Sequence, residues 1–122
     1  MSKFKKIMKP WGSEEILEHN EKYVLKRLTM KAGCRCSLQY HEKKRETIYV
    51  LSGNLLIERM GLEDLKKPDL QVDILMLTPS QSTTIPALLV HRMEAKKEDC
   101  VYLEASTPEL DDVQRILDDY GR

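Results

Sequence analysis

Apolar and polar residues alternate with a period of two in several short runs of this chain, as they do in strands that bury one face. Residues 23–31 are the clearest case. Val24, Leu28 and Met30 fall on one face, and Lys26 stands among them as a charge on a mostly apolar surface. Residues 47–51 are a β-branched and aromatic run, closed by Ser52-Gly53-Asn54 and followed by a return strand over 54–60, which together read as a hairpin. Shorter strands are predicted over 74–77, before Thr78-Pro79-Ser80, and over 81–85, before Pro86. Residues 88–94 put Leu89, His91 and Met93 on one face, and residues 99–105 alternate as Val101, Leu103 and Ala105 before Ser106-Thr107-Pro108 stops the strand.

The remaining segments connect these strands. Lys9-Pro10-Trp11-Gly12 reads as an ordered loop, and residues 14–19 as a short strand or edge segment ending in a turn at Asn20-Glu21. Residues 61–73 mix charge, Gly and Pro and predict a surface excursion with a brief turn of helix. The tail, 109–122, reads as a short helix or as an extended arm on the body. Short strands with closely spaced turn signals predict an all-β barrel or sandwich. There is no βαβ alternation, no Gly-rich phosphate loop and no heptad seam.

Composition narrows the function classes more than the fold. At 122 residues the chain reads as one domain, long enough for a real core. Twenty basic and twenty acidic residues cancel, so no basic excess points to nucleic acid. No run approaches the ~20 apolar residues of a membrane span. The basic N-terminus has no apolar run behind it, so a cytoplasmic location is the expectation. Cys34, Cys36 and Cys100 lack redox and disulfide spacing and read as small buried or half-buried thiols.

The candidate chemistry lies between Gly33 and Gly53. Gln39 and His41 are two apart, so on a strand both side chains point to one face. Glu46 follows the charged run Glu42-Lys43-Lys44-Arg45, a poor strand interior and a good turn. His91, on the inward face of its strand, is the natural fourth donor. A single buried histidine is more often a satisfied core residue than a ligand, so it is the joint spacing that points to a metal. Two imidazoles, a carboxylate and an amide oxygen suit one divalent ion, Zn, Mn, Co, Ni or Fe, with positions left open for water or substrate.

Gly33, Gln39, His41, Glu46 and Gly53 resemble the first motif of the cupin superfamily, and Pro86 with His91 resembles the second. Lys9-Pro10-Trp11-Gly12, Lys26-Arg27, Ser37-Leu38-Gln39-Tyr40-His41, Ile85-Pro86, His91-Arg92, Asp111-Asp112-Val113, Arg115 and Asp118-Asp119-Tyr120-Gly121-Arg122 resemble the type II phosphomannose isomerase cupin, nearly end to end. That cupin also forms the C-terminal part of bifunctional mannose-1-phosphate guanylyltransferases. Gln at the first ligand position is typical of that group. Where the family carries further His residues and then Arg-Ala-Glu-His-Trp, this chain has Glu42-Lys43-Lys44-Arg45-Glu46-Thr47-Ile48.

The resemblance implies a small all-β cupin, a double-stranded β-helix or jelly-roll barrel, as a single domain over 1–122. It divides into an N-terminal arm and edge strand (1–22), the barrel (23–105) and a C-terminal arm or short helix (106–122). It implies a metal held by Gln39, His41, Glu46 and His91, and the interconversion of mannose 6-phosphate and fructose 6-phosphate. The nucleotidyltransferase part has no counterpart here, so synthesis of GDP-mannose is not expected. Aldose–ketose isomerisation needs an electrophile, a base and a grip on phosphate. Lys26 and Lys44 are the candidate bases, provided that burial or the metal lowers their pKa values. Lys26, Arg92 and Arg122 are the candidate phosphate grips, and Trp11 caps the core or walls the sugar site. A ferrous dioxygenase and a non-catalytic sugar- or sugar-nucleotide-binding cupin use the same donor set. A small-molecule sugar phosphate is the expected partner, with no nucleic acid and no membrane, and a homodimer is expected by resemblance, with Tyr40 and Tyr49 in packing or dimer contacts.

Overall fold

The strict alternation of residues 23–31 becomes a strand whose burial alternates in the same rhythm. In the computed structural model, which describes residues 5–122, Val24, Lys26, Leu28 and Met30 are buried and the residues between them are half-buried. The twelve strands are β1 Lys5–Lys9, β2 Gly12–His19, β3 Val24–Met30, β4 Cys34–Arg35, β5 Leu38–Tyr40, β6 Glu46–Ser52, β7 Leu55–Gly61, β8 Asp73–Leu77, β9 Ser82–Ile85, β10 Leu89–Ala95, β11 Cys100–Ser106 and β12 Gln114–Leu117. They form two antiparallel sheets, one in the order β1-β2-β3-β11-β6-β9 and the other β12-β5-β10-β7-β8, with β4 also paired to β10. Among the described residues no helix is long and apolar enough to cross a membrane.

The main core, between the sheets, includes Trp11, Leu28, Met30, Ile48, Val50, Leu55, Ile57, Leu77, Ile85, Met93 and Tyr102. Each such side chain contributes roughly 1.5–3 kcal/mol when fully buried. A smaller cluster of Leu38, Met60 and Val90, with Tyr40 against it, lies apart from this core. Tyr49 and Leu51 of β6 are exposed. The three cysteines are free, Cys34 half-buried and Cys36 and Cys100 buried.

Two details depart from the sequence reading, and a third decides between alternatives it left open. Lys9-Pro10-Trp11-Gly12 is the turn of a β1–β2 hairpin, with Lys9 paired to Gly12, so β2 is flanked by β1 and β3 and is not an edge. Gly12 sits at φ +152°, and a side chain there would run into the Thr29 carbonyl of β3. The basic run over 5–9 is therefore a strand, while residues 1–4 of the expected N-terminal arm lie outside the described residues. Second, β11 faces the other way from its apolar alternation. Cys100, Tyr102, Glu104 and Ser106 are buried, whereas Ala105 is exposed and Val101 and Leu103 are half-buried. The register explains this, because Glu104 pairs with Lys26 of β3, and the inner face carries compensating charges at this level. Third, the tail is the extended arm and not the helix. β12 pairs with β5, Asp119 binds Arg35 at 2.6 Å, and the Tyr120 hydroxyl donates to the Arg35 carbonyl at 2.9 Å. The excursion after β7 holds one 3₁₀ turn, Leu62–Asp64, close to expectation.

Candidate metal centre

His41 follows β5, Glu46 opens β6 and His91 lies within β10, so donors from both sheets converge. One ligating atom from each lies within 4.8 Å of the others. The two imidazole centroids are 5.3 Å apart and the rings are tilted by 38°. All three side chains are buried, His91 completely. His91 Nδ1 lies 2.9 Å from the Leu89 carbonyl, an acceptor, so the proton sits on Nδ1 and the Nε2 lone pair is free. That Nε2 stands 3.2 Å from Glu46 Oε1. Neither His91 Nε2 nor Glu46 Oε2 makes a hydrogen bond. Glu46 Oε2 has the Lys44 ammonium at 3.4 Å. Buried electron-pair donors that face one another without a shared proton are costly, and a divalent cation between them removes that cost. The donor set therefore fits the expected ion.

Gln39 belongs to the same place. It pairs in register with His91 across β5 and β10, and opposed residues of an antiparallel pair share a face. Its Oε1 accepts from the Ser37 hydroxyl at 2.6 Å, which fixes the amide.

Charge around the donors is dense. Burial pushes the Glu46 carboxyl up, but positive charge beside it, the Lys44 ammonium included, outweighs burial and holds the group well below the usual carboxylate range. Burial lowers His41 to about 4, so its imidazole is neutral at pH 7 and free to donate an electron pair. For Lys44, burial acts to lower the pKa, but Glu104 and Glu46 override it and hold the ammonium above its ordinary value. That is the reverse of the lowered lysine expected for a general base. Glu104 is pushed up to about 7 by burial and by the Glu46 charge, and accepts from Lys44 at 3.1 Å. Two carboxyls so close are driven apart in pKa, one ionised early and one late.

These groups open on a cavity of about 110 Å³. Of the residues expected from the sequence, Trp11, Lys26, Gln39, His41, Lys44, Glu46 and Arg122 line it. Lys26 is buried and bridges Glu14 at 3.4 Å, and Arg122 binds Asp118 at 2.9 Å. His91, fully buried against Glu46, does not line the cavity, and Arg92 is not brought to the site. Its neighbour His91 faces inward, so Arg92 faces out, where it donates to the Cys36 carbonyl at 2.9 Å and the Leu117 carbonyl at 3.3 Å beneath the tail. Glu14, Glu104, Lys9 and Arg115 also line the cavity and were not anticipated. The lysine at position 26 was the available signal for two of them, since an inward ammonium needs carboxylates on the neighbouring strands.

Residues 1–116 match the family model described as "Mannose-6-phosphate isomerase C-terminal". The chain is 32% identical over 122 residues to the xanthan biosynthesis protein XanB of Xanthomonas campestris pv. campestris, covering 97% of this chain and 24% of XanB. It is 29% identical to the mannose-1-phosphate guanylyltransferase of Escherichia coli, covering 97% of this chain and 23% of that protein. It thus spans about a quarter of the length of these relatives. Among solved structures, the capsular polysaccharide assembling protein CapF of Staphylococcus aureus superposes with a TM-score of 0.83 at 16% identity, over 96% of this chain and 32% of CapF. That likeness shows the fold, which is the small all-β cupin expected. By the family match, the chain belongs to the mannose-6-phosphate isomerase C-terminal family of cupin domains.

Proposed function

We propose that the chain is a metal-dependent sugar-phosphate isomerase that interconverts mannose 6-phosphate and fructose 6-phosphate by an enediol route. The observation that carries this reading is the buried His91 Nε2, which makes no hydrogen bond and faces the Glu46 carboxylate at 3.2 Å, beside a cavity that Glu46 lines together with lysines and further carboxylates. The family description supports the substrate. Gln39, His41, Glu46 and His91 would hold one divalent ion, which when bound supplies an electrophile for the sugar oxygens.

The reaction removes the proton from C2 of mannose 6-phosphate and returns one to C1, while the O2 hydroxyl proton moves to O1. Lys26 and Lys44 are both held in ion pairs, so in this proposal they act as charged donors that stabilise the developing oxyanion. The proton carrier is then Glu104, a buried carboxyl on the cavity wall with the Lys44 ammonium 3.1 Å away. Trp11 walls the cavity and excludes water from it, and Arg122 stands at its edge.

The test is to purify the protein, identify its metal by elemental analysis and follow mannose 6-phosphate by NMR with Zn, Mn, Co or Ni added. Appearance of fructose 6-phosphate with one or more metals is expected. A protein that binds metal and converts nothing would be a sugar-binding cupin. That second reading draws on residues 42–45, which carry none of the imidazoles found there in the resembling isomerases. Oxygen uptake with ferrous iron would instead place the site among dioxygenases.

A further inference from the structure

Most cations lining the cavity are neutralised where they stand. Lys26 is bridged by Glu14, Lys44 by Glu104 and Glu46, and Arg122 by Asp118. Lys9 and Arg115 line the same cavity, and among the described residues neither side chain makes a hydrogen bond or an ion pair. The strand register shows how both reach it. Arg115 of β12 pairs with Gln39 of β5, which pairs with His91 of β10, so the three side chains form one row on the inner face of their sheet. Across the cavity, Lys9 pairs with Gly12, which pairs with the fully buried Met30. Lys9 thus projects from the inner face of the facing sheet, beside a position that has no side chain.

We propose that Lys9 and Arg115 form a subsite for a phosphomonoester at the mouth of the cavity, clamping the dianion between the two sheets. This deepens the isomerase reading and rests on it for the sugar, though not for the anion. Two unpaired cations suit a doubly charged group. The planar guanidinium of Arg115 matches two phosphate oxygens at once, and the Lys9 ammonium serves as a point charge. The spacing also suits a hexose 6-phosphate. Arg115 stands two strands from His91, about 10 Å at the usual strand separation, and the phosphate of such a sugar is several bonds from the carbons that react. The subsite replaces Arg92, which the sequence pointed to and which is engaged under the tail.

The experiment is calorimetric titration of inorganic phosphate and of mannose 6-phosphate into the 122-residue chain, its Lys9→Gln and Arg115→Gln variants and the double variant. Exposed Lys97, which does not line the cavity, provides a Lys97→Gln control. Each single variant is expected to weaken both ligands about tenfold, and the double variant further, as loss of charge-assisted hydrogen bonds requires. Metal content, circular dichroism and binding of unphosphorylated mannose stay unchanged. Wild-type protein that binds no phosphate, a double variant that binds it as wild type does, or a Lys97→Gln loss of equal size would each overturn the subsite. If phosphate binding depends on Lys9 and Arg115 while mannose 6-phosphate is never converted, the subsite stands and the isomerase reading falls. If conversion occurs with an unchanged KM in both variants, the isomerase reading stands and the subsite falls.

Discussion

His41 connects burial, charge and acid stability in one side chain. Burial holds its imidazole at about 4 in the folded chain, against an ordinary value near 6.5. Between those two values the unfolded chain binds a proton that the folded chain refuses. Stability therefore rises with pH across this window and is lost as pH falls from 6.5 toward 4. Glu104 acts in the opposite sense, because its carboxyl is raised to about 7 and takes up a proton in the folded state first, so its contribution is lost as pH rises through 7. The effect of His41 must then be read as a difference. Urea unfolding of metal-free wild type and His41→Gln at pH 7, 5.5 and 4.5 is expected to show wild type losing about 2 kcal/mol relative to the variant over that range, after discounting for solvent screening. Parallel pH profiles would show that the imidazole is not held neutral. Residues of this kind were half legible in the sequence. The strand period and the short spacing of Gln39, His41 and Glu46 placed them together, because both are local. Glu14, Glu104 and Arg115 come to the site through pairings between distant strands, which no local pattern encodes.

At the scale of an element, the segment from His41 to Glu46 needs an outside support. It links two candidate ligands, and its backbone makes no ladder there. Asp112, from the arm that leads into β12, supplies the support. Its carboxylate accepts from the backbone N–H groups of Glu42, Lys43 and Lys44 at 3.1, 2.7 and 2.9 Å. Those hydrogen bonds also draw the Asp112 pKa below its ordinary value. Asp112→Ala leaves three amides to water and frees the segment. The expected outcome is a loss of roughly 1–3 kcal/mol of stability, with weaker metal binding, while Asp112→Asn keeps part of both. Urea unfolding and a zinc titration check this, and an Ala variant that binds zinc as wild type does would separate the arm from the site. The same element shows where the sequence pattern stopped. The tail fits a helix or an arm equally well on its own, and only pairing with Leu38–Tyr40 selects the strand. β11 misled for a related reason. Its apolar alternation is real, but the inner face is the one bearing Glu104, because charges on β3 and in the 42–45 segment face it.

Across the whole molecule, the candidate centre sits on the seam between the two sheets. Glu46 opens a strand of one sheet, and His91 and the residues beside β5 belong to the other. An ion bound there would tie the sheets together at the end where their inner faces carry charge and not apolar side chains. Without it, the His91 Nε2 lone pair faces the Glu46 carboxylate with no hydrogen bond between them and opposes closure at that seam. Metal binding to the folded state alone stabilises by about 2.7 kcal/mol when free metal is a hundred times its dissociation constant. For a chain of this size that corresponds to a rise in Tm of about 10 °C. Thermal melts of wild type with zinc and after exhaustive chelation are expected to differ by that amount. The His91→Ala variant, which removes a donor from the seam, is expected to melt at one temperature under both conditions. If the variant keeps the full metal-dependent shift, the ion binds elsewhere and the seam is held by its charges alone.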